Sequence, residues 1–93
     1  MVKHIVMWKL KNKADSEIIK DKLNALVGKI PGLLRIEVGI DFSQNAAAFH
    51  MVLIAELESK AALEAYRIHP EHQAVIPLVQ AAAVDRAVVD YEV

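Results

Sequence analysis

The sequence predicts an α+β domain in which a four-stranded antiparallel sheet carries two helices on one face. Segments with apolar residues at every second position alternate with segments whose apolar residues recur at helical spacing. The segments follow the order β-α-β-β-α-β, which is the split βαβ arrangement. No linker or low-complexity run interrupts the 93 residues, so we expect a single domain over residues 1–93.

The first half of the chain contains a strand, a helix and a strand. Residues 2–11 alternate, with apolar side chains on both faces near the middle. The helix that follows is expected to start at an Asp15 or Ser16 N-cap. It should end at Pro31, because proline interrupts helical hydrogen bonding. The second strand is predicted over about residues 33–41.

The third strand and the next helix come before a proline. Residues 47–57 alternate and again carry apolar residues on both faces. Ser59 is the predicted N-cap of the helix after this strand. Pro70 should interrupt that helix, since it lacks an amide hydrogen and disfavours helical geometry at His69.

The last part of the chain is predicted to hold a helical stretch and a strand. Residues 70–82 have helical spacing, but Pro77 should kink that stretch or end it early. Residues 84–93 then alternate between apolar and charged positions, which is typical of a strand.

The composition excludes several classes of function. Eleven basic and twelve acidic residues form no basic patch, so we expect neither a nucleic acid nor a membrane partner. No cysteine is present, which excludes disulfides and thiolate metal sites. No apolar run approaches the roughly 18 residues of a membrane span. Since no signal-peptide pattern begins the chain, we expect a cytoplasmic protein.

The two-sided strands predict self-association. Two helices cover one side of the sheet, yet the first and third strands are apolar on both sides. We therefore expect a homodimer in which the uncovered sheet faces pack together. The residues expected on that face are Ile5, Met7, Met51 and Leu53. The alternate side chains of these two strands point to the other face of the sheet, expected beneath the helices. They are His4, Val6, Trp8, His50, Val52 and Ile54.

Three short segments resemble one known family. They are residues 2–11, the helix end at residues 30–32, and Tyr66 with the run from His69 to His72. Together they resemble the stress-responsive A/B barrel (Dabb) family over essentially the whole chain. The resemblance implies a ferredoxin-like subunit that forms a dimeric α+β barrel.

The resemblance also implies site residues. A polyketide-cyclase branch of this family uses the tyrosine and second histidine of a Tyr…His-Pro-x-His motif for aldol condensation, and these correspond to Tyr66 and His72. Histidines on the first and third strands of that branch line its pocket, and they correspond to His4 and His50. Some other members look like stress-induced proteins without established catalysis, and many bacterial members have no known activity.

The residue chemistry suits acid–base work on a carbonyl compound. Residues six positions apart point in different directions on a straight helix, which turns by about 100° per residue. Tyr66 and His72 therefore converge only if Pro70 bends the path. A neutral histidine can accept a proton from carbon, and a phenol can donate a hydrogen bond to a carbonyl.

Our hypothesis is a pocket between sheet and helices with catalytic residues Tyr66 and His72. The residues expected to line it are His4, Trp8, His50 and His69. The ligand would be an apolar, carbonyl-containing small molecule, and the chemistry that of a cofactor-independent lyase or cyclase.

Structural roles remain open for the same residues. Tyr66 can simply pack on the sheet, and His69 can cap the following helix. His4 and His50 can be hydrogen-bonded core residues. The chain would then be a non-catalytic, stress-associated homodimer, or an accessory domain that acts through protein contacts.

A metal site is the remaining chemical alternative. His69, Glu71 and His72 offer nitrogen and oxygen ligands in one short run. Catalytic zinc takes three protein ligands in suitable geometry. Pro70 constrains the backbone between His69 and Glu71, which disfavours such an arrangement. We therefore expect no metal.

Overall fold

The computed structural model describes residues 1–93 and contains one four-stranded sheet with three helices on one face. The strands are β1 (Val2–Leu10), β2 (Leu33–Ile40), β3 (Met51–Leu57) and β4 (Ala83–Glu92). The helices are α1 (Ser16–Asn24), α2 (Lys60–Ile68) and α3 (Pro70–Ala82). The sheet order is β2-β3-β1-β4, and all neighbours are antiparallel. The predicted fold class is confirmed.

The core lies between the sheet and the helices because each central strand presents every second side chain to the helices. In β1 the buried positions alternate with half-buried or exposed ones along the whole strand. Ile19 and Leu23 of α1, and Leu63 of α2, pack against these strand residues from above. None of the helices is both long and apolar enough to cross a membrane.

Helix α1 starts and ends differently from the prediction. Asp15 makes no side-chain cap; instead Asn12 accepts a hydrogen bond from the Ala14 amide at 3.0 Å, which caps a short 3-10 turn over Lys13–Asp15. The regular helix ends at Asn24, well before Pro31. Leu26 and Ile30 are nevertheless buried, so the irregular segment still contributes to the core.

Pro70 divides the second helical region into α2 and α3, as predicted. Ser59 caps α2 by accepting a hydrogen bond from the Ala62 amide at 3.1 Å, which confirms its predicted role. His69 is extended, with ψ 136°, and its Nδ1 accepts a hydrogen bond from the Glu71 amide at 3.1 Å. The chain therefore leaves one helix and starts the next within a single residue.

Pro77 does not end α3, and the prediction that it could was wrong in this respect. The helix continues to Ala82, where Val79 and Ala82 are buried. Proline lacks the amide hydrogen and its ring crowds the carbonyl four residues earlier, yet the turn after Pro77 stays helical and buries Val79 and Ala82.

The two faces of β3 are the reverse of those predicted. Met51 lies opposite Trp8 and Leu53 opposite Val6, so both are buried beneath the helices. Residues directly opposite each other on antiparallel strands share a face, so the register decides the assignment. Both phases of β3 are apolar, and the alternation alone could not distinguish them.

The face of the sheet away from the helices is open and mainly apolar. Ile5 lies between Ile54 and Val89, and Met7 lies between Val52 and Ala87. Met7 is 37% exposed and Val89 54% exposed, because no helix covers this side. We call this surface the open face; its apolar residues are Ile5, Met7, Val52, Ile54, Ala87, Val89 and Tyr91.

Candidate active site

A cavity of about 390 Å³ lies between the covered face of the sheet and the helices. Eight of its thirteen lining residues are hydrophobic, and Trp8, Leu53 and Val79 are among them. The volume lies within the ~300–1,000 Å³ of typical small-molecule sites. The polar lining residues are His4, Arg67, His72, Gln80 and Arg86.

Tyr66 and His72 meet beside this cavity. Their ring centroids are 4.2 Å apart and the rings are tilted by 34°. Tyr66 lies near the end of α2 and His72 in the first turn of α3, so the break at Pro70 brings the two rings together. The predicted convergence is present, although Tyr66 packs against His72 without lining the cavity itself.

His72 is oriented by a backbone carbonyl. Its Nδ1 lies 3.1 Å from the carbonyl oxygen of Arg67, which can only accept a hydrogen bond. Nδ1 therefore carries the proton, and in the neutral ring Nε2 keeps a free lone pair. Burial lowers the pKa of His72 below 6.5; the hydrogen bond to the Arg67 carbonyl opposes this shift, and the electrostatic effects of His4, Arg67 and Arg86 add to it. His72 is thus mostly neutral at pH 7, as a general base must be.

Tyr66 has a buried hydroxyl group with no protein partner. The residue is 0% exposed, and its hydroxyl makes no hydrogen bond. Burial raises the pKa of Tyr66 to about 12, so the phenol keeps its proton. An unpaired buried donor costs about 1–3 kcal/mol, and an acceptor on a ligand would relieve that cost.

His4 belongs to a hydrogen-bonded network that links β1, β4 and α2. Its Nδ1 donates to Oδ1 of Asp90, which lies directly opposite on β4. Arg67 donates to Oδ2 of the same carboxylate at 2.9 Å. His4 also meets the ring of Tyr66 edge-on, with centroids 6.0 Å apart. Asp90 therefore fixes the ring of His4 in the cavity wall, 5% exposed.

His50 and His69 lie away from the cavity, unlike His4 and Trp8, which line it. Nδ1 of His50 accepts a hydrogen bond from the Leu10 amide at 2.9 Å, at the end of the β1–β3 pair. Nδ1 of His69 caps α3. Both histidines stabilise backbone ends and neither contributes to the cavity lining.

Sequence reasoning missed three charged residues of this region: Arg67, Arg86 and Asp90. A signal for two of them was present in the last strand, where residues 86, 90 and 92 are all charged and share one phase. That phase lies opposite Trp8 and His4, which places it on the covered side of the sheet. No group of three or more His, Asp or Glu side chains could hold a metal ion.

A family model described as the stress responsive A/B barrel domain matches residues 2–93. The chain belongs to this family. A stress-response A/B barrel domain-containing protein of Arabidopsis thaliana is 34% identical over 79 residues, which cover 82% of this chain. The chain spans only 30% of the length of that plant relative.

Solved structures share the fold. A dimeric protein of unknown function with a ferredoxin-like fold, from Bacteroides fragilis, is 30% identical with a TM-score of 0.80, covering 99% of this chain and 95% of that one. A hydroxynitrile lyase from Passiflora edulis has a TM-score of 0.85 at 18% identity, covering 99% and 92%. The A/B barrel domain thus has a relative described as dimeric, and it shares its fold with a lyase.

Proposed function

We propose that this A/B barrel domain is a cofactor-independent enzyme that removes a proton from carbon next to a carbonyl group. One observation carries the proposal: a neutral His72 lines the cavity and packs against the ring of Tyr66, whose buried hydroxyl has no partner. The two groups are a base and a hydrogen-bond donor, which enolisation requires.

In the proposed step, Nε2 of His72 accepts the proton from carbon. The electron pair of the broken C–H bond moves into the carbonyl group and forms an enolate, whose oxygen accepts a hydrogen bond from the phenol of Tyr66. An enolate formed in this way can attack a second carbonyl or expel a leaving group. The first route is an aldol closure and the second a lyase reaction.

The lyase of Passiflora edulis supports this proposal only at the level of the fold, because the two chains are 18% identical. The stronger support is electrostatic. The A/B barrel domain holds His72 neutral and Tyr66 protonated near pH 7, which is the pair of protonation states that the step needs.

The test is hydrogen exchange at carbon in two aryl ketones, neutral propiophenone and anionic benzoylpropanoate. In D2O, proton NMR should show the signal next to the ketone disappear faster with the wild-type protein than with buffer. Loss of a general base costs about 10²–10⁴-fold in rate, so His72→Gln should abolish the acceleration. Tyr66→Phe should slow the exchange by about 10²-fold, as for loss of an oxyanion donor.

His69→Gln is the matched control, because His69 caps α3 and lies outside the cavity lining. It should exchange at the wild-type rate. Equal exchange by wild type and His72→Gln for both ketones would overturn the proposed function.

We further propose that the domain forms a homodimer through the open face. The supporting observations are the apolar residues of that face, of which Met7, Val89 and Tyr91 are exposed, and the dimeric relative from Bacteroides fragilis. Burial of such a surface against a second copy would remove it from water without any change in fold.

A further inference from the structure

Arg86 is a cation at the cavity without an acidic partner. It lies on β4 opposite Trp8 and lines the same cavity as His72. Its guanidinium makes no ion pair with any Asp or Glu and no hydrogen bond to another residue, whereas its backbone amide donates to Oδ1 of Asp85. A cation that lies beside an apolar cavity and has no counter-ion is available to a ligand.

The second arginine of the cavity is already neutralised. Arg67 contacts Asp90 at 2.9 Å and Glu64 at 3.5 Å. None of the thirteen residues that line the cavity is acidic. The cavity therefore has one uncompensated positive charge, and it belongs to Arg86.

We propose that the ligand of this cavity carries a carboxylate that binds the guanidinium of Arg86, with its apolar body between sheet and helices. The proposal deepens the proposed function, because it names the substrate class of the same site. The planar fork of arginine donates two parallel hydrogen bonds to a carboxylate, which fixes orientation as well as affinity. The carboxylate would thus hold the ligand carbonyl in one position relative to His72.

The exposure of Arg86 reduces the cost of binding an anion there. Arg86 is solvent-exposed, while Val6, Leu53 and Val79 of the cavity are buried. A bound carboxylate can keep part of its hydration beside Arg86, and only the apolar body has to leave water. Full burial of an anion would instead carry a large desolvation cost.

The test is calorimetric binding of benzoylpropanoate and of its neutral amide, benzoylpropanamide, which has nearly the same shape. Hydrogen bonds to charged groups are worth about 1.5–3 kcal/mol, and each 1.4 kcal/mol is about tenfold in affinity. The wild type should bind the carboxylate at least about tenfold more tightly than the amide. In Arg86→Gln the preference should fall to about twofold or less, with amide binding unchanged.

Two further variants separate charge from geometry. Arg86→Lys keeps the charge without the fork and should retain only part of the preference. Lys22→Gln removes one exposed cation of α1 that lies outside the cavity and should retain all of it. Far-UV circular dichroism should match for all four proteins, because both substituted side chains are exposed.

The results of the binding test do not depend on whether the protein catalyses hydrogen exchange. Equal binding of the acid and the amide by wild type would overturn the inference, and so would a preference that survives Arg86→Gln or no binding of benzoylpropanoate. If the carboxylate binds through Arg86 but neither ketone exchanges its hydrogens, the proposed function fails and the inference stands.

Discussion

The two faces of the sheet contain similar aliphatic residues but differ in their polar groups. The covered face has His4 and Asp90 in register beneath the helices, with Tyr66 and His72 above them. The open face has no histidine, and its apolar centre is formed by side chains such as Met7 and Val89. The same alternation of β1 thus places His4 on the covered face, and Ile5 and Met7 at the centre of the open face with Lys3 and Lys9 on either side of them.

This difference indicates two separate roles. Buried polar groups are costly unless hydrogen-bonded, and the covered face tolerates an unpaired phenol where an aliphatic residue would fill the same space. The open face has no unpaired buried polar group, and the proposed homodimer would cover its exposed apolar residues. The proposals therefore place ligand chemistry on the covered face and self-association on the open face.

The largest expected effect comes from a charge on the open face. Met7→Glu would place a carboxylate opposite Val52 and Ala87 in the centre of the proposed interface. A buried unpaired charge at an interface centre should weaken dimerisation by at least about a hundredfold. Sedimentation velocity over a concentration series measures this. Ile18→Glu, an exposed apolar site on α1, is the control and should remain dimeric.

On the covered face, Asp90→Ala should be the most destabilising of the polar substitutions. It leaves the buried His4 without its acceptor and Arg67 without its closest carboxylate. We expect the free energy of unfolding to fall by about 2 kcal/mol, measured by urea denaturation. Asp85→Ala on the same strand should change it by less than about 0.5 kcal/mol, because Asp85 only accepts a bond from the next amide. Similar losses in both variants would argue against a structural network at His4.

Tyr66→Phe should have the opposite sign. It removes a buried hydroxyl that has no partner and keeps the ring against His72. The free energy of unfolding should rise by about 1 kcal/mol, while the rate of hydrogen exchange at the carbon of the ketone ligand falls. A loss of stability in Tyr66→Phe would show that the hydroxyl is hydrogen-bonded in the folded protein and would weaken its assignment to a ligand.

The smallest effect is the pH dependence contributed by His72. Its pKa is lowered in the folded protein, mainly by burial, so the unfolded chain binds more protons once the pH falls below about 6.5. Stability from this group is complete above that pH and decreases as the pH falls towards the folded pKa. His72→Gln should therefore flatten part of the acid-side decrease measured by thermal unfolding. An unchanged profile would indicate that His72 is solvated in the folded state.

Sequence reasoning predicted the two faces of β1 and reversed those of β3. The alternation of β1 placed His4 and Trp8 correctly, and Pro70 explained why Tyr66 and His72 meet. The prediction of which β3 side chains face the helices was wrong, because both sides of this strand are apolar. Only the register against β1 shows that Met51 faces the helices and Val52 does not.

The charged residues of the site could not be ranked from sequence for a related reason. Arg86 and Asp90 look like ordinary solvent-facing positions of an edge strand. Their importance depends on the pairing of β4 with β1, which places Asp90 against His4 and Arg86 against Trp8. Long-range register is set by the whole fold and leaves little local trace in the sequence.

The most direct test of separate roles for the two faces compares wild type, Met7→Glu and His72→Gln side by side. It measures hydrogen exchange at the carbon next to the ketone of benzoylpropanoate. The cavity lies on the covered face, on the opposite side of the sheet from the open face. Met7→Glu should therefore be monomeric and still exchange the hydrogens of benzoylpropanoate within a few-fold of the wild-type rate, whereas His72→Gln should remain dimeric and lose exchange. A folded Met7→Glu monomer without exchange, or a His72→Gln dimer with wild-type exchange, would contradict the account.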